Sequence, residues 1–155
     1  MSRPMDTTTQ GRTSVMRTMM KVMGSLHRLL YRLSNGKFGG SMGKMSVLLL
    51  TTTGRKTGQP RTWPISYQVD GDNLIMVASA GGQPQHPAWY LNLQAHPHVT
   101  VQVGARTRAM VAHTAQGEER TRLWTRYIQQ YPNFAEYQRK TSRELPVVVL
   151  GPETG

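Results

Sequence analysis

The chain has 155 residues, enough for one domain with a buried core, and it contains no apolar run long enough to span a membrane. It has no cysteine, which excludes disulfides, thiolate catalysis and cysteine-based zinc sites, and its five histidines lack a metal-ligand spacing such as HExxH. No metal site is therefore expected, the formal net charge of +11 predicts an anionic partner, and the absence of cysteine fits a cytoplasmic protein.

The N-terminal arm, residues 1–37, is predicted to contain a basic amphipathic helix over 14–33. One stripe of the helix is apolar, with residues three and four apart, and the opposite side carries Arg and Lys. The apolar residues are Val15, Met19, Val22, Leu26, Leu29 and Leu33. Such a helix packs on the rest of the protein or makes a peripheral contact with the inner face of an anionic membrane, and the pattern fits both.

The positive charge is concentrated in the first part of the chain. Residues 1–61 carry 11 Lys and Arg against one Asp, whereas residues 62–155 carry 8 against 7 acidic residues. A field so polarised suits a phosphorylated or polycarboxylate ligand, a lipid surface or nucleic acid.

Residues 38–155 are predicted to form the domain proper, in which short strands alternate with turns and helices. Because short turns link most of the strands, the pattern favours an antiparallel barrel or sandwich of about six strands in an α+β fold. Pro60 and Pro64 predict an edge or bulged position for the second strand, at least at its start. The predicted strands are 46–53, 61–69, 74–78, 99–103, 107–114 and 146–150, and the predicted helices are 87–95, 118–130 and 133–141.

Residues 54–58, Gly-Arg-Lys-Thr-Gly, follow the first strand and are called the basic loop below. The two glycines predict a tight turn that a ligand can approach closely, and Arg55, Lys56 and the nearby Arg61 supply positive charge. Such a loop suits a phosphate, although it lacks the spacing of a nucleotide P-loop. A solvated basic hairpin turn is the other interpretation. The glycine-rich segment 79–84, which leads into the helix at 87–95, is a second potential anion site.

Five motifs, in this order and spacing, resemble the deazaflavin-dependent nitroreductase family over residues 38–152. They are TTTGRKTGQPR at 51–61, DG at 70–71, ASAGG at 78–82, PAWYLNL at 87–93 and YPNFAEYQ at 131–138. The resemblance implies a split β-barrel with helices packed around it and a reductase that uses coenzyme F420.

The resemblance also implies a set of cofactor-binding residues. Arg55, Lys56 and Arg61 would hold the phosphate and the acidic glutamyl tail of the coenzyme, while Ser79 would contact the deazaflavin ring and the bound acceptor. Trp89 and Asn92 would line the cofactor groove. The whole implied set is Arg55, Lys56, Thr57, Gly58, Arg61, Pro64, Ala78, Ser79, Ala80, Gly81, Trp89 and Asn92.

Ser79, Tyr131 and Tyr137 are the implied catalytic residues: Ser79 would orient the acceptor, and a tyrosine or solvent would protonate the product. Ala80 stands where the nitroreductase that names the family has a lysine. Ser66 and Phe134 each replace a tyrosine, which predicts a roomier and less polar acceptor pocket. The expected acceptor is a quinone, an enone or another activated double bond, with nitro compounds less expected.

Two other functions fit the barrel, an FMN-binding oxidoreductase and a basic module for single-stranded nucleic acid. Few aromatic residues lie on the predicted strands, which disfavours nucleic-acid binding because base stacking needs them. The sequence is compatible with a monomer and with a homodimer.

Overall fold

The computed structural model describes residues 45–153. The predicted arm, its helix over 14–33 with the proposed membrane contact, and the domain boundary after residue 37 lie outside these residues.

Within residues 45–153, strands and helices follow one another much as the periodicity predicts. The strands are β1 Val47–Thr53, β2 Pro60–Ser66, β3 Gln68–Asp70, β4 Asn73–Val77, β5 His98–Val103, β6 Arg106–Thr114 and β7 Val147–Pro152. The helices are α1 Ala88–Ala95, α2 Gly117–Gln130 and α3 Asn133–Arg139, with a short 3₁₀ turn at Ala80–Gly82.

The strands form one antiparallel sheet in the order β2-β1-β5-β6-β7-β4-β3, which confirms the α+β class. The outer strands β2 and β3 are separated in the chain by Tyr67 alone. Because two residues of extended chain span at most about 7 Å, the sheet must curl until its two edges nearly meet at that point. The result is a curled half-barrel.

The prediction of about six strands is wrong by one, because the strand predicted at 61–69 is divided at Tyr67. The part before Tyr67 pairs with β1 and the part after it pairs with β4, so the chain changes partner there. Pro60 and Pro64 predict an edge or bulged position for this segment, and the edge position is confirmed, since β2 has β1 as its one neighbour in the sheet.

The sheet is buried on both faces where β4 and β7 pair. Alternate residues of these strands enter two separate hydrophobic clusters, as the two-residue period of a strand requires. Leu74 and Met76 pack in the cluster that contains α1, whereas Ile75 and Val77 pack in the cluster that contains α2 and α3. The first cluster holds α1 against β1, and so positions the pocket described next.

Candidate functional site

A pocket of about 250 Å³ lies between the β1–β2 connection and the first turns of α1. It brings together residues that lie more than 30 positions apart in the sequence, as a binding site built on a fold requires. We call it the basic pocket below. Its lining residues are Gly54, Arg55, Lys56, Thr57, Arg61, Trp63, Ala88 and Asn92.

The basic loop has the tight turn that its glycines predict. The Gly54 N–H donates to the Gln59 carbonyl at 2.8 Å, and the Gly58 N–H donates to the Gly54 carbonyl at 2.8 Å. A Cβ at Gly54 would lie 2.8 Å from Thr57 Oγ1, and Gly58 has a φ of +70°. Both glycines are therefore needed for the closed loop, which holds its side chains at the rim of the pocket.

Asn92 connects the basic loop to α1. Its side chain is buried, and Oδ1 accepts hydrogen bonds from the backbone N–H of Arg55 at 3.2 Å and from Arg55 Nη1 at 3.3 Å. Its Nδ2 donates to Thr52 Oγ1 at 3.1 Å. The Asn92 side-chain amide thus links the basic loop and the Arg55 guanidinium to α1 and to β1. Arg55 is therefore held in place before any ligand binds.

The electrostatics of the pocket are those of an anion site. In the part of the chain that the structure describes, Arg55, Lys56 and Arg61 form no ion pair, whereas Arg122 and Arg126 both pair with Asp70. Three cations without a carboxylate around one pocket attract an anionic ligand.

Trp63 also lines the pocket, and its role was not predicted. Its indole Nε1 is buried and has no hydrogen-bond partner among the described residues. A buried donor without a partner is costly to stability. The two-residue period of β2, which puts Trp63 on the same face as Arg61, is the sequence signal that could have identified it.

The segment 78–83, called the Ser79 loop below, lies at the end of β4 and bears an unusual backbone. Ala80, Gly81 and Gly82 have φ values of +48°, +66° and +83°, a conformation that costs free energy at Ala80 because of its Cβ. Ser79 is largely buried, and its Oγ accepts a hydrogen bond from the Gly81 N–H at 3.4 Å. Residues 84–87 connect this loop to α1, so it adjoins the pocket along the chain.

Seven of the predicted cofactor residues do not line the pocket: Gly58, Pro64, Ala78, Ser79, Ala80, Gly81 and Trp89. Trp89 is buried in the hydrophobic cluster that contains α1, and Pro64 pairs with Leu49 in the sheet. Their contact with a cofactor stays a prediction.

The two candidate tyrosines occupy different environments. Tyr131 is buried, and its hydroxyl donates to the Tyr67 carbonyl at 2.8 Å. Burial raises the pKa of Tyr131 above its ordinary value of 10.0, which weakens it as an acid. Tyr137 is half-buried on α3, and its hydroxyl accepts a hydrogen bond from Asn133 Nδ2 at 3.3 Å.

Tyr137 is adjacent to the Ser79 loop, because a Cβ built on Gly82 would lie 2.6 Å from its carbonyl oxygen. Neither Tyr131 nor Tyr137 lines the basic pocket. The structure therefore has two regions of interest, the basic pocket and the Ser79 loop with Tyr137.

Comparison with known proteins identifies similar chains. Residues 24–152 match the family model described as F420H(2)-dependent quinone reductase. A Mycobacterium tuberculosis H37Rv protein described as an F420H(2)-dependent quinone reductase is 43% identical over 129 residues, which cover 81% of this chain and 87% of that protein.

Two solved structures are also similar. The F420-H2 dependent reductase FDR-A is 42% identical with a TM-score of 0.63, over 68% of this chain and 93% of that one. A structure described as a domain-swapped dimer is 36% identical with a TM-score of 0.64, over 86% of this chain and 98% of the other.

Proposed function

Since the chain belongs to the family of F420H(2)-dependent quinone reductases, we propose that its basic pocket binds the anionic end of reduced coenzyme F420. The protein is an oxidoreductase that uses F420H2 as hydride donor and transfers the hydride to quinones or other electron-poor acceptors. The observation that carries the site assignment is the group of three cations without carboxylate partners around one pocket of the described chain.

The residues present fit the coenzyme. Its phosphate and glutamyl carboxylates need several cationic donors, and Arg55 and Lys56 on the basic loop and Arg61 on β2 supply them. The pocket of about 250 Å³ accommodates one end of a long ligand, so the rest of the coenzyme extends beyond it.

The Ser79 loop is proposed to hold the reactive end. The positive φ values bring its backbone into a shape that ordinary residues avoid, which is typical of a site where backbone closely approaches a ligand. We assign Ala78, Ser79, Ala80 and Gly81 to contacts with the ring and the acceptor, and retain Thr57, Gly58, Pro64, Trp89 and Asn92 as cofactor residues.

Bound F420H2 supplies a hydride for an electron-poor carbon of the acceptor. The chain's own task is to hold the two reactants in contact and to exclude water, which lowers the entropic part of the barrier. Ser79 orients the acceptor. Tyr137 or solvent supplies the proton that the reduced acceptor needs, and Tyr131 is the weaker proton donor because burial raises its pKa and Tyr67 accepts its hydrogen bond.

A binding experiment tests the pocket. In a fluorescence titration with F420, replacing both Arg55 and Lys56 by Ala is expected to weaken binding about 10- to 100-fold, because charge-assisted hydrogen bonds are lost. The matched control replaces Arg122 and Arg139 by Ala, which removes the same charge from exposed positions on α2 and α3. Equal weakening of F420 binding in both double variants would refute the proposed binding site and would show only a general effect of net charge.

A homodimer is a further proposal, supported by the similar structure described as a domain-swapped dimer. Light scattering after size-exclusion chromatography should give twice the 17.4 kDa mass of the chain, and a mass of one chain would contradict it. No helix among residues 45–153 has the length and apolar character needed to cross a membrane.

A further inference from the structure

Arg143, which no sequence motif identified, binds the Ser79 loop through all three nitrogens of its guanidinium. Nη2 donates to the Ser79 carbonyl at 2.7 Å, and Nε donates to the Gln83 carbonyl at 2.8 Å. Nη1 donates to the Ala78 carbonyl at 3.3 Å and lies 3.1 Å from Nδ1 of His86. One side chain thus contacts both ends of the loop and the residue two positions before α1.

The Ser79 loop needs such support. Three successive residues with positive φ are unfavourable in an unsupported chain, and this conformation persists only where tertiary contacts determine it. Within the loop, the Gly82 N–H donates to the Ser79 carbonyl at 2.9 Å, and the Gln83 N–H donates to the Ala80 carbonyl at 3.2 Å. Arg143 adds contacts from a distant segment, which the loop's own hydrogen bonds cannot replace.

Arg143 is itself fixed and is committed to the loop. Its carbonyl accepts a hydrogen bond from Gln138 Nε2 at 2.8 Å, and its N–H donates to Thr141 Oγ1 at 3.3 Å. Among the described residues it forms no ion pair, so the guanidinium is directed entirely to backbone carbonyls and His86. A planar fork with five N–H donors is suited to several carbonyls at once, and a lysine is not.

His86 completes the contact. Burial and the neighbouring Arg143 charge lower the pKa of His86 below its ordinary value of 6.5, so the imidazole is neutral at pH 7 and Nδ1 can accept the Arg143 hydrogen bond. Among the described residues, Arg143 is the charged group that faces His86. The other titratable side chain is Tyr90, whose ring centroid lies 4.9 Å from that of His86.

We propose that Arg143 is a positioning residue of the reductase, which sets the Ser79 loop in the shape that aligns the acceptor with the hydride donor. This role rests on the proposed function, because it takes the Ser79 loop as the reactive end of the site. Arg143 acts through Ser79 and its neighbours.

The kinetic test compares Arg143→Met and Arg143→Lys with the control Arg139→Met, which removes an exposed cation four residues earlier. F420H2 oxidation by a water-soluble benzoquinone is followed with saturating F420H2. Arg143→Met is expected to lower kcat about 10- to 100-fold, since small misplacements are costly. Its Kd for F420 should change less than threefold, because the basic pocket is intact. Arg143→Lys should recover part of kcat, and Arg139→Met should behave as the wild type.

Two measurements separate positioning from a general loss of structure and do not need turnover. Hydrogen exchange should accelerate at the amides of residues 79–83 in Arg143→Lys and stay unchanged in β5 and β6. In the NMR titration of Arg143→Met, the pKa of His86 should move up toward 6.5, because the neighbouring positive charge is gone.

A kcat within twofold of the control, or exchange that accelerates over the whole sheet, would overturn the proposal. If Arg143→Met does not fold, Arg143→Lys carries the kinetic and exchange tests. If the wild type fails to bind F420, the proposed function falls, whereas the exchange and His86 measurements still decide whether Arg143 holds the loop.

Discussion

Asn92 Oδ1 accepts hydrogen bonds from both the backbone N–H and the guanidinium Nη1 of Arg55, at 3.2 and 3.3 Å. The acceptor lies on α1 and the donors lie on the basic loop, 37 residues earlier. The sequence left two interpretations of this loop open, an anion site and a solvated basic hairpin turn. In the structure the loop lines a pocket, and the Arg55 cation is already oriented there.

Replacing Asn92 by Ala should weaken the attachment of the basic loop to α1. We expect a loss of about 1–3 kcal/mol in the free energy of unfolding, since buried partners such as Thr52 Oγ1 lose a hydrogen bond. The Kd for F420 should rise about tenfold, because Arg55 is no longer held in place. Urea denaturation and the fluorescence titration measure the two effects. Gln94→Ala, an exposed change on the same helix, should alter neither; if it does, the effect belongs to α1 in general.

The two tyrosines should separate in a pair of Phe variants. Tyr131→Phe is expected to lower the free energy of unfolding by about 1 kcal/mol through the lost bond to the Tyr67 carbonyl, with kcat kept within twofold. Tyr137→Phe is expected to lower kcat about tenfold or more with stability unchanged, because a proton donor is removed. Stopped-flow kinetics with a quinone and thermal unfolding provide the readouts. A loss of kcat in Tyr131→Phe and not in Tyr137→Phe would instead make Tyr131 the proton donor.

Gly82 is the position in the Ser79 loop where a side chain is least tolerated. Gly82→Ala combines a φ of +83° with a Cβ 2.6 Å from the Tyr137 carbonyl oxygen, so we expect a loss of about 2–5 kcal/mol in unfolding free energy. Gly104→Ala is the control, since Gly104 has a φ of +58° and nothing within 4 Å, and it should lose about 1–2 kcal/mol. Similar losses for both variants would show that the close approach to α3 does not exist in solution.

Asp70 makes stability depend on pH. Its hydrogen bond with Arg122, helped by the charges of Arg122 and Arg126 and opposed by burial, holds the pKa of Asp70 below its usual value of 3.8. A carboxyl with a lowered pKa stabilises the fold above its unfolded-state pKa, and the stabilisation disappears as the pH falls through the folded-state pKa.

Asp70→Asn should therefore lower the unfolding free energy by about 0.5–1 kcal/mol at pH 7, and the difference from the wild type should disappear as the pH falls through the folded-state pKa of Asp70. Asp72→Asn, an exposed change in the same turn without an ion pair among the described residues, is the control. Urea denaturation at several pH values checks both. A difference that persists at low pH would mean that the ion pairs are not its source.

Much of the fold is local, and the sequence predicted that part. The ends of the helices and of most strands agree within two residues, because apolar periodicity and turn residues such as Asp70 and Gly71 act on neighbouring positions. The break at Tyr67 was missed, since it reflects a change of strand partner from β1 to β4 and not a change in composition.

The candidate site likewise contains residues that the sequence predicted and residues that it did not. Arg55, Lys56 and Arg61 were identifiable because three cations near two glycines are visible along the chain, and the family motifs added Asn92. Trp63 and Arg143 were not identified. The one sequence signal for Trp63 is the strand face that it shares with Arg61, and an arginine in a polar segment has no distinctive pattern. In the folded protein, Trp63 lines the pocket and the Arg143 guanidinium lies against four acceptors.

By itself, the sequence determined the chemistry of this protein: its excess of positive charge, its basic loop, its reductase family and the order of its strands and helices. These properties follow from residue types and short spacings, which exist before the chain folds. The tertiary structure alone decided which groups meet, that Asn92 restrains Arg55, that Trp63 joins the pocket and that Arg143 supports the Ser79 loop. Such contacts depend on how a curled sheet brings distant segments together, and no local pattern encodes them.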